Sequence, residues 1–218
     1  MIPEIEARID QKLCELQDVA PSNDPALAPW ADQLATVVRR VQAFEGWLIA
    51  GTIPAVLADA PHLSVIPQPR VALPRRAVER AELGAPPLQI EYDGSGRGRR
   101  LDLLVFDHRT GVVELAEIKR GCQPIGADHR RNRLRDDAAL RMVGVSYVEQ
   151  RLRVRCLGCQ SRVLSYYGRT GLPEDLTLRA SELDAHYGWP VQAAVEAHLN
   201  FFRHHLDWAI PGLTGQGD

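Results

Sequence analysis

No run of roughly eighteen consecutive apolar residues, the length a membrane-spanning helix needs, occurs in this sequence. Its start, MIPEIEARIDQ, carries acids where a secretory signal carries a basic segment followed by an apolar one. The expectation is a cytoplasmic protein that makes no membrane contact. Cysteine is scarce: Cys14, Cys122, Cys156 and Cys159 are the only four in 218 residues, too few to suggest a disulfide framework. Cys156 and Cys159 have the spacing of half a zinc site, but no second CxxC or HxxxH follows, so free thiols are expected. His204 and His205 are neighbours, and adjacent positions on a helix point about 100° apart, which places them poorly for sharing one metal. Repeats and low-complexity segments are also missing. Net charge is nearly so, at −2, which by itself excludes a uniformly basic, polyanion-coating protein.

What is there is an ordinary globular composition, 45% hydrophobic and 25% charged, with its charge unevenly placed. Acids predominate up to about residue 34, whereas RGRR at 97–100 and KRGCQPIGADHRRNRLR at 119–135 are basic. Ile2, Ile5, Ile9, Leu13 and Leu16 recur every three or four residues, which predicts an amphipathic helix ending before Pro21. A proline-rich connector, PSNDPALAP, leads to a second predicted helix from Pro29 to about Ala50, with Leu34, Val38, Val41 and Leu48 as its stripe and Gly51 as its stop. Residues 52–87 show no firm period beyond a short helical piece, RRAVERAEL, and read as connecting structure.

From residue 88 the period changes to two. LQIEY, RRLDLLVF and VVELAEIK predict three strands of an antiparallel meander, joined by turns at DGSGRG and DHRTG. A helix over 129–142 with Asp128 as N-cap follows, then strand-like YVEQRLRVRCLGC and SRVLSYYG, a closing helix through VQAAVEAHLNFFRHHLDW, and a frayed GLTGQGD. This divides the chain into an N-terminal extension and linker (1–28), an α/β core (29–168) and a C-terminal strand and helix segment packed on that core (169–218).

If the hairpin turns at Arg109 and Thr110, Phe106 faces Val113, Leu104 faces Leu115, Asp102 faces Glu117 and Arg100 faces Lys119, all on one side of the sheet. Two facing carboxylates repel, and a divalent cation is the natural compensation. Hard oxygen ligands suit Mg²⁺ or Mn²⁺. Lys119 beside them could orient a water or stabilise charge on a phosphate.

Asp102, fourteen intervening residues and then Glu117-Ile118-Lys119 resembles the PD-(D/E)XK, or restriction-endonuclease-like, nuclease superfamily. The resemblance covers about residues 30–160 and departs from the family name at Leu101, where the name has proline. It implies a core of helix, three-stranded meander, helix and further strand, that is, a central mixed sheet flanked by helices. It implies Asp102 and Glu117 as metal ligands, with the Ile118 carbonyl as a further one, and Lys119 as the lysine that assists the attacking water. The implied activity is Mg²⁺- or Mn²⁺-dependent hydrolysis of phosphodiester bonds in DNA, with RNA not excluded. Many members add a glutamate from the helix before the meander. Glu45 is the choice here because it falls on the apolar stripe, with Glu79, Glu82 and Glu91 as competitors. Arg97, Arg99, Arg100, Arg120, Arg130 and Arg131 are the candidate phosphate contacts. A homodimer, joined through a terminal helix, would let one site per subunit cut both strands. Three other readings remain: a solvated strand end, a structural domain, and a nucleic-acid-binding or assembly module that keeps the fold without cutting.

Overall fold

The computed structural model describes residues 2–17, 25 and 28–213, without the side chains of 29–30 and 207–213. Most of the expected connector and the last five residues lie outside that range. The chain forms two compact units, Met1–Ile53 with Pro190–Asp218, and Pro54–Trp189, so its divisions fall elsewhere than the three segments expected above.

The first unit is helical. Helix α1 (Pro3–Gln17) buries Ile5, Ile9, Leu13 and Leu16, the stripe that its spacing predicts, and packs on α6 (Val191–Leu213). Helix α2 (Pro29–Ala58) corrects the sequence reading in two ways. Its buried face carries Val37, Phe44, Leu48 and Ile49, whereas Leu34 and Val38 are exposed, because two apolar stripes compete on this helix and the aromatic one wins. The Phe44 ring meets Phe202 edge-on at 4.8 Å and stacks on Trp47 at 5.2 Å. Nor does Gly51 stop the helix; burial of Ile53, Val56 and Leu57 carries it on through Pro54. By length and apolarity alone residues Ala31–Ala58 could cross a bilayer, but this stretch contains Asp32, Arg39, Arg40 and Glu45.

His198 of α6 is 1% exposed; its Nδ1–H donates to the Ala194 carbonyl and its Nε2 accepts the Ile2 N–H at 3.0 Å. That arrangement requires a neutral ring, and burial holds the imidazole below its ordinary value. A depressed value means that its stabilising contribution is full above the ordinary histidine range and is lost as pH falls through the folded value. His198→Gln should therefore remove part of the fall in melting temperature between pH 7.5 and 5.5; an unchanged pH dependence would refute this.

The second unit is α/β. A five-stranded mixed sheet runs in the order β1 (Leu63–Pro67), β4 (Leu103–Asp107), β5 (Val112–Lys119), β6 (Gly158–Ser165) and β7 (Thr177–Leu178). The first three are antiparallel; β6 is parallel to β5 and β7 to β6. A parallel neighbour needs a crossover, and α4 (Ala127–Leu152) provides it. Leu104, Phe106, Val113 and Leu115 from the sheet share one core with Leu140, Met142, Val143 and Tyr147 from α4.

Three strand and helix boundaries differ from those expected. LQIEY is no strand: it lies along α4, with the Ile90 N–H donating to the Met142 carbonyl at 2.8 Å and the Tyr92 N–H to Ser146 Oγ at 3.0 Å. The meander's first strand is instead β1, in the stretch read as connecting structure. RRLDLLVF is two strands: β3 (Arg97–Arg100) leaves to pair with β2 (Arg70–Leu73), and only β4 joins the main sheet. Helix α4 begins after Gly126, not at an Asp128 cap, and continues through YVEQRL, where packing of Tyr147 and Val148 outweighs their strand propensity. The short predicted helix RRAVERAEL appears as α3 (Arg75–Glu82).

Gly144 sets how closely α4 approaches the sheet, since a Cβ there would lie 2.1 Å from Cys159 Sγ and 3.2 Å from Leu115 Cδ1. Overpacking of this kind costs about 1–3 kcal/mol. Gly144→Ala is expected to lower the urea midpoint accordingly; a wild-type midpoint would show that the helix can withdraw freely.

Candidate active site

The β4–β5 hairpin pairs Leu104 with Leu115 and Phe106 with Val113, the register read from the sequence. The ladder stops at Leu103, and the strand end beyond it is finished by side chains. The Asp102 N–H donates to the Ala116 carbonyl at 3.1 Å, and Asp102 Oδ2 accepts the Ile118 N–H at 2.7 Å. Asp102 thus holds the backbone between Glu117 and Lys119. Arg100 does not face Lys119, because β3 has turned away; Leu101 and Gln68 donate main-chain bonds that fix the break, and the Arg100 guanidinium pairs with Gln68.

Glu117 and Lys119 are two apart on β5 and so share a face. Lys119 Nζ lies 2.6 Å from Glu117 Oε1, while Oε2 accepts Arg99 Nη2 at 2.8 Å and also Arg133 Nη1. Burial pushes the Glu117 carboxyl up, but Arg133, Lys119 and Arg99 together outweigh it and hold the group below its ordinary value. Arg133 is itself buried, bound through Nη2 to Asp137 Oδ1 at 3.0 Å and to the Arg162 carbonyl at 2.9 Å. The Ser161 hydroxyl donates to Asp137 at 2.6 Å, yet burial prevails there and raises the Asp137 carboxyl.

Beside this chain of charges is a cleft of about 350 Å³, lined by Arg97, Arg99, Glu117, Lys119, His129, Arg133, Arg135, Asp136 and Thr170 among others. Arg97 Nη2 donates to both oxygens of buried Asp136, at 2.6 and 2.7 Å, which ties the β2–β3 arm to α4. Of the six buried side-chain polar atoms without a partner among the described residues, two belong to residues lining this cleft, Arg99 Nε and the Thr170 hydroxyl. Buried polar groups are nearly always satisfied, so such orphans mark a place where a polar ligand or water completes the set.

The structure therefore brings Asp102, Ile118, Glu117, Lys119, Arg97 and Arg99 to one strand end and its cleft. The other expected contacts are spread more widely. Arg120 lies over the Tyr167 ring at 5.7 Å, and Arg130 and Arg131 are exposed on α4, with Arg131 3.8 Å from Asp128. Glu45 belongs to the helical unit, where Arg203 Nη2 donates to it at 3.4 Å. Of its competitors, Glu79 pairs with Arg75 and Glu82 with Arg135, while Glu91 is exposed. All four cysteines are free, and burial pushes Cys159 up to about 12. Among the described residues no three of His, Cys, Asp and Glu gather into a metal cage.

The sequence reading missed Arg133, Arg135, Asp136 and Asp137 as site residues. A signal was present: Arg133 and Asp137 stand on the helical stripe continued by Leu140 and Gly144, and an ion pair on an apolar stripe must be buried. On the sheet's other face Glu114 is also buried, accepting the Tyr187 hydroxyl at 2.5 Å and pairing with His186 Nε2 at 2.8 Å and Arg162 Nε at 3.1 Å.

No family model matches this chain, and none of the curated proteins or solved structures compared with it does.

Proposed function

We propose that the protein is a metal-dependent nuclease of the restriction-endonuclease-like type, hydrolysing phosphodiester bonds in DNA. One observation carries the reading: Asp102 and the Glu117-Ile118-Lys119 element meet at the end of the same antiparallel pair, beside an arginine-lined cleft. The element order adds support, since α2, the antiparallel strands β1, β4 and β5, α4 and β6 follow the helix, three strands, helix and strand of that superfamily, with β2, α3 and β3 inserted between β1 and β4.

The donors fit Mg²⁺ or Mn²⁺, which bind through one or two carboxylates, completed by waters and a substrate phosphate, and need no closed protein cage. Asp102 and Glu117 would hold the ion. When bound, it would polarise the phosphate and make a coordinated water more acidic. The chain's own groups do the rest. Lys119 places a cation next to Glu117, where it orients the attacking water and offsets charge on the phosphate oxygens. Arg97 and Arg99 hold the backbone phosphates, which reward positive charge without a sequence code.

A second reading, a nucleic-acid-binding module that does not cut, is favoured by the three cations on Glu117. Supercoiled plasmid, single-stranded DNA and RNA, each incubated with Mg²⁺, Mn²⁺ or EDTA, separate the two. Metal-dependent nicking of DNA supports the nuclease. Binding that persists in EDTA, with no cutting in either metal, transfers the site to the second reading, and neither binding nor cutting removes both.

A further inference from the structure

Both Glu117 oxygens already have cationic partners, and those partners are unequal. Arg133 is fixed: its side chain is 6% exposed and is bound to Asp137 and the Arg162 carbonyl as well as to Glu117. Arg99 and Lys119 are not. Lys119 is half exposed, and among the described residues Arg99, besides Glu117, has only a long 3.8 Å approach to Asp136 and keeps a buried Nε without a partner. A divalent cation approaching Glu117 thus meets three positive charges within bonding distance of the oxygens it needs.

We propose that Arg99, Lys119 and Arg133 form a cationic latch on Glu117, and that a nucleic-acid phosphate opens it. Divalent cation and polyanion then bind cooperatively. This rests on the nuclease reading above and concerns how that site is regulated. A phosphate offers Arg99 a bidentate acceptor, including for its orphan Nε, and offers Lys119 a full counter-charge, so the two movable members exchange Glu117 for the phosphate. Charge around Glu117 becomes less positive as the metal arrives. Arg133 stays, holding the carboxylate in position, and is a positioning residue. Because linkage is reciprocal, the metal must strengthen DNA binding by the same factor.

The test is Mn²⁺ binding, read from the electron paramagnetic resonance signal of free Mn²⁺, with and without a phosphorothioate duplex that resists cutting, against a DNA-only blank. Mn²⁺ should bind at least about tenfold more tightly with the duplex present, within the usual range of coupling between sites. Arg99→Met should raise Mn²⁺ affinity in the absence of DNA and shrink the coupling, a gain that structural damage would not produce. Arg133→Met, if circular dichroism shows it folded, should raise Mn²⁺ affinity with and without DNA and leave the coupling in place, because Arg133 does not exchange; Arg99→Met carries the test alone if it is unfolded. Equal Mn²⁺ affinity with and without duplex, or no gain in Arg99→Met, overturns the latch while leaving the nuclease standing if Mg²⁺-dependent nicking persists. If no Mn²⁺ binds in a way that Glu117→Gln abolishes, and nothing is cut, the nuclease reading fails and the latch with it.

Discussion

Lys119→Met is expected to slow metal-dependent nicking by about 10²–10³-fold, the usual effect of removing one preorganised group that stabilises charge in the transition state. Affinity for DNA should change only a few-fold, since Arg97 and Arg99 remain to hold phosphates. The reason is position. The Lys119 ammonium sits 2.6 Å from a Glu117 oxygen at the mouth of the cleft, half exposed, where it reaches both the carboxylate and an incoming phosphate. Methionine keeps the length of the side chain and removes its charge. The measurement is the single-turnover rate of plasmid nicking in Mg²⁺, with duplex affinity by fluorescence anisotropy alongside. Unchanged nicking would remove Lys119 from the chemistry; equal losses in binding and cutting would make it a phosphate contact only.

The largest effect on stability is expected at Arg133. Arg133→Met leaves Asp137, 1% exposed, and Glu117 without their common partner, and breaking a buried ion pair from one side costs about 3–5 kcal/mol. For a chain of this size that is a fall in melting temperature of about 10 °C. Adding Asp137→Leu should recover much of it, because replacing both partners with apolar groups is often near neutral. If the double variant melts no higher than the single one, the loss comes from Glu117 or from packing. Acid adds a check. Glu117 is held below its ordinary range, so its contribution is full above that range and is lost as pH falls through the depressed value; without Arg133 that acid-linked loss should be smaller and complete at a higher pH.

Short-range patterns in the sequence carried well where one periodicity acted alone. The α1 stripe and the β4–β5 register are of that kind, and the register was enough to set Asp102 against the Glu117-Lys119 element. Composition adds a signal that the reading did not use: lysine occurs only twice among the 26 basic residues, at Lys12 and Lys119, so a lysine at the end of β5 does not come from a lysine-rich background. Where two patterns competed, the fold chose on packing. The β1 segment is flanked by prolines and resembles a linker, while LQIEY alternates like a strand, yet β1 occupies the edge of β4 and LQIEY lies along α4. Non-local charges were least legible, since the Arg133–Asp137 pair takes its meaning from Glu117 and Ser161, each sixteen or more positions away.

The parallel pairing of β5 with β6 also governs when the molecule can be finished. Each residue of β5 waits for a partner 46 positions later, Val112 for Gly158 and Lys119 for Ser165. The β4–β5 hairpin, closed by a short turn, can form microseconds after it leaves the ribosome. At translation speeds of 5–20 residues per second the open side of β5 then stays bare for roughly 2–9 seconds, its main-chain groups able to pair with any passing strand. A nascent chain stalled within α4 should therefore be the most aggregation-prone length of this protein, and one extended far enough to expose β6 should be markedly less so.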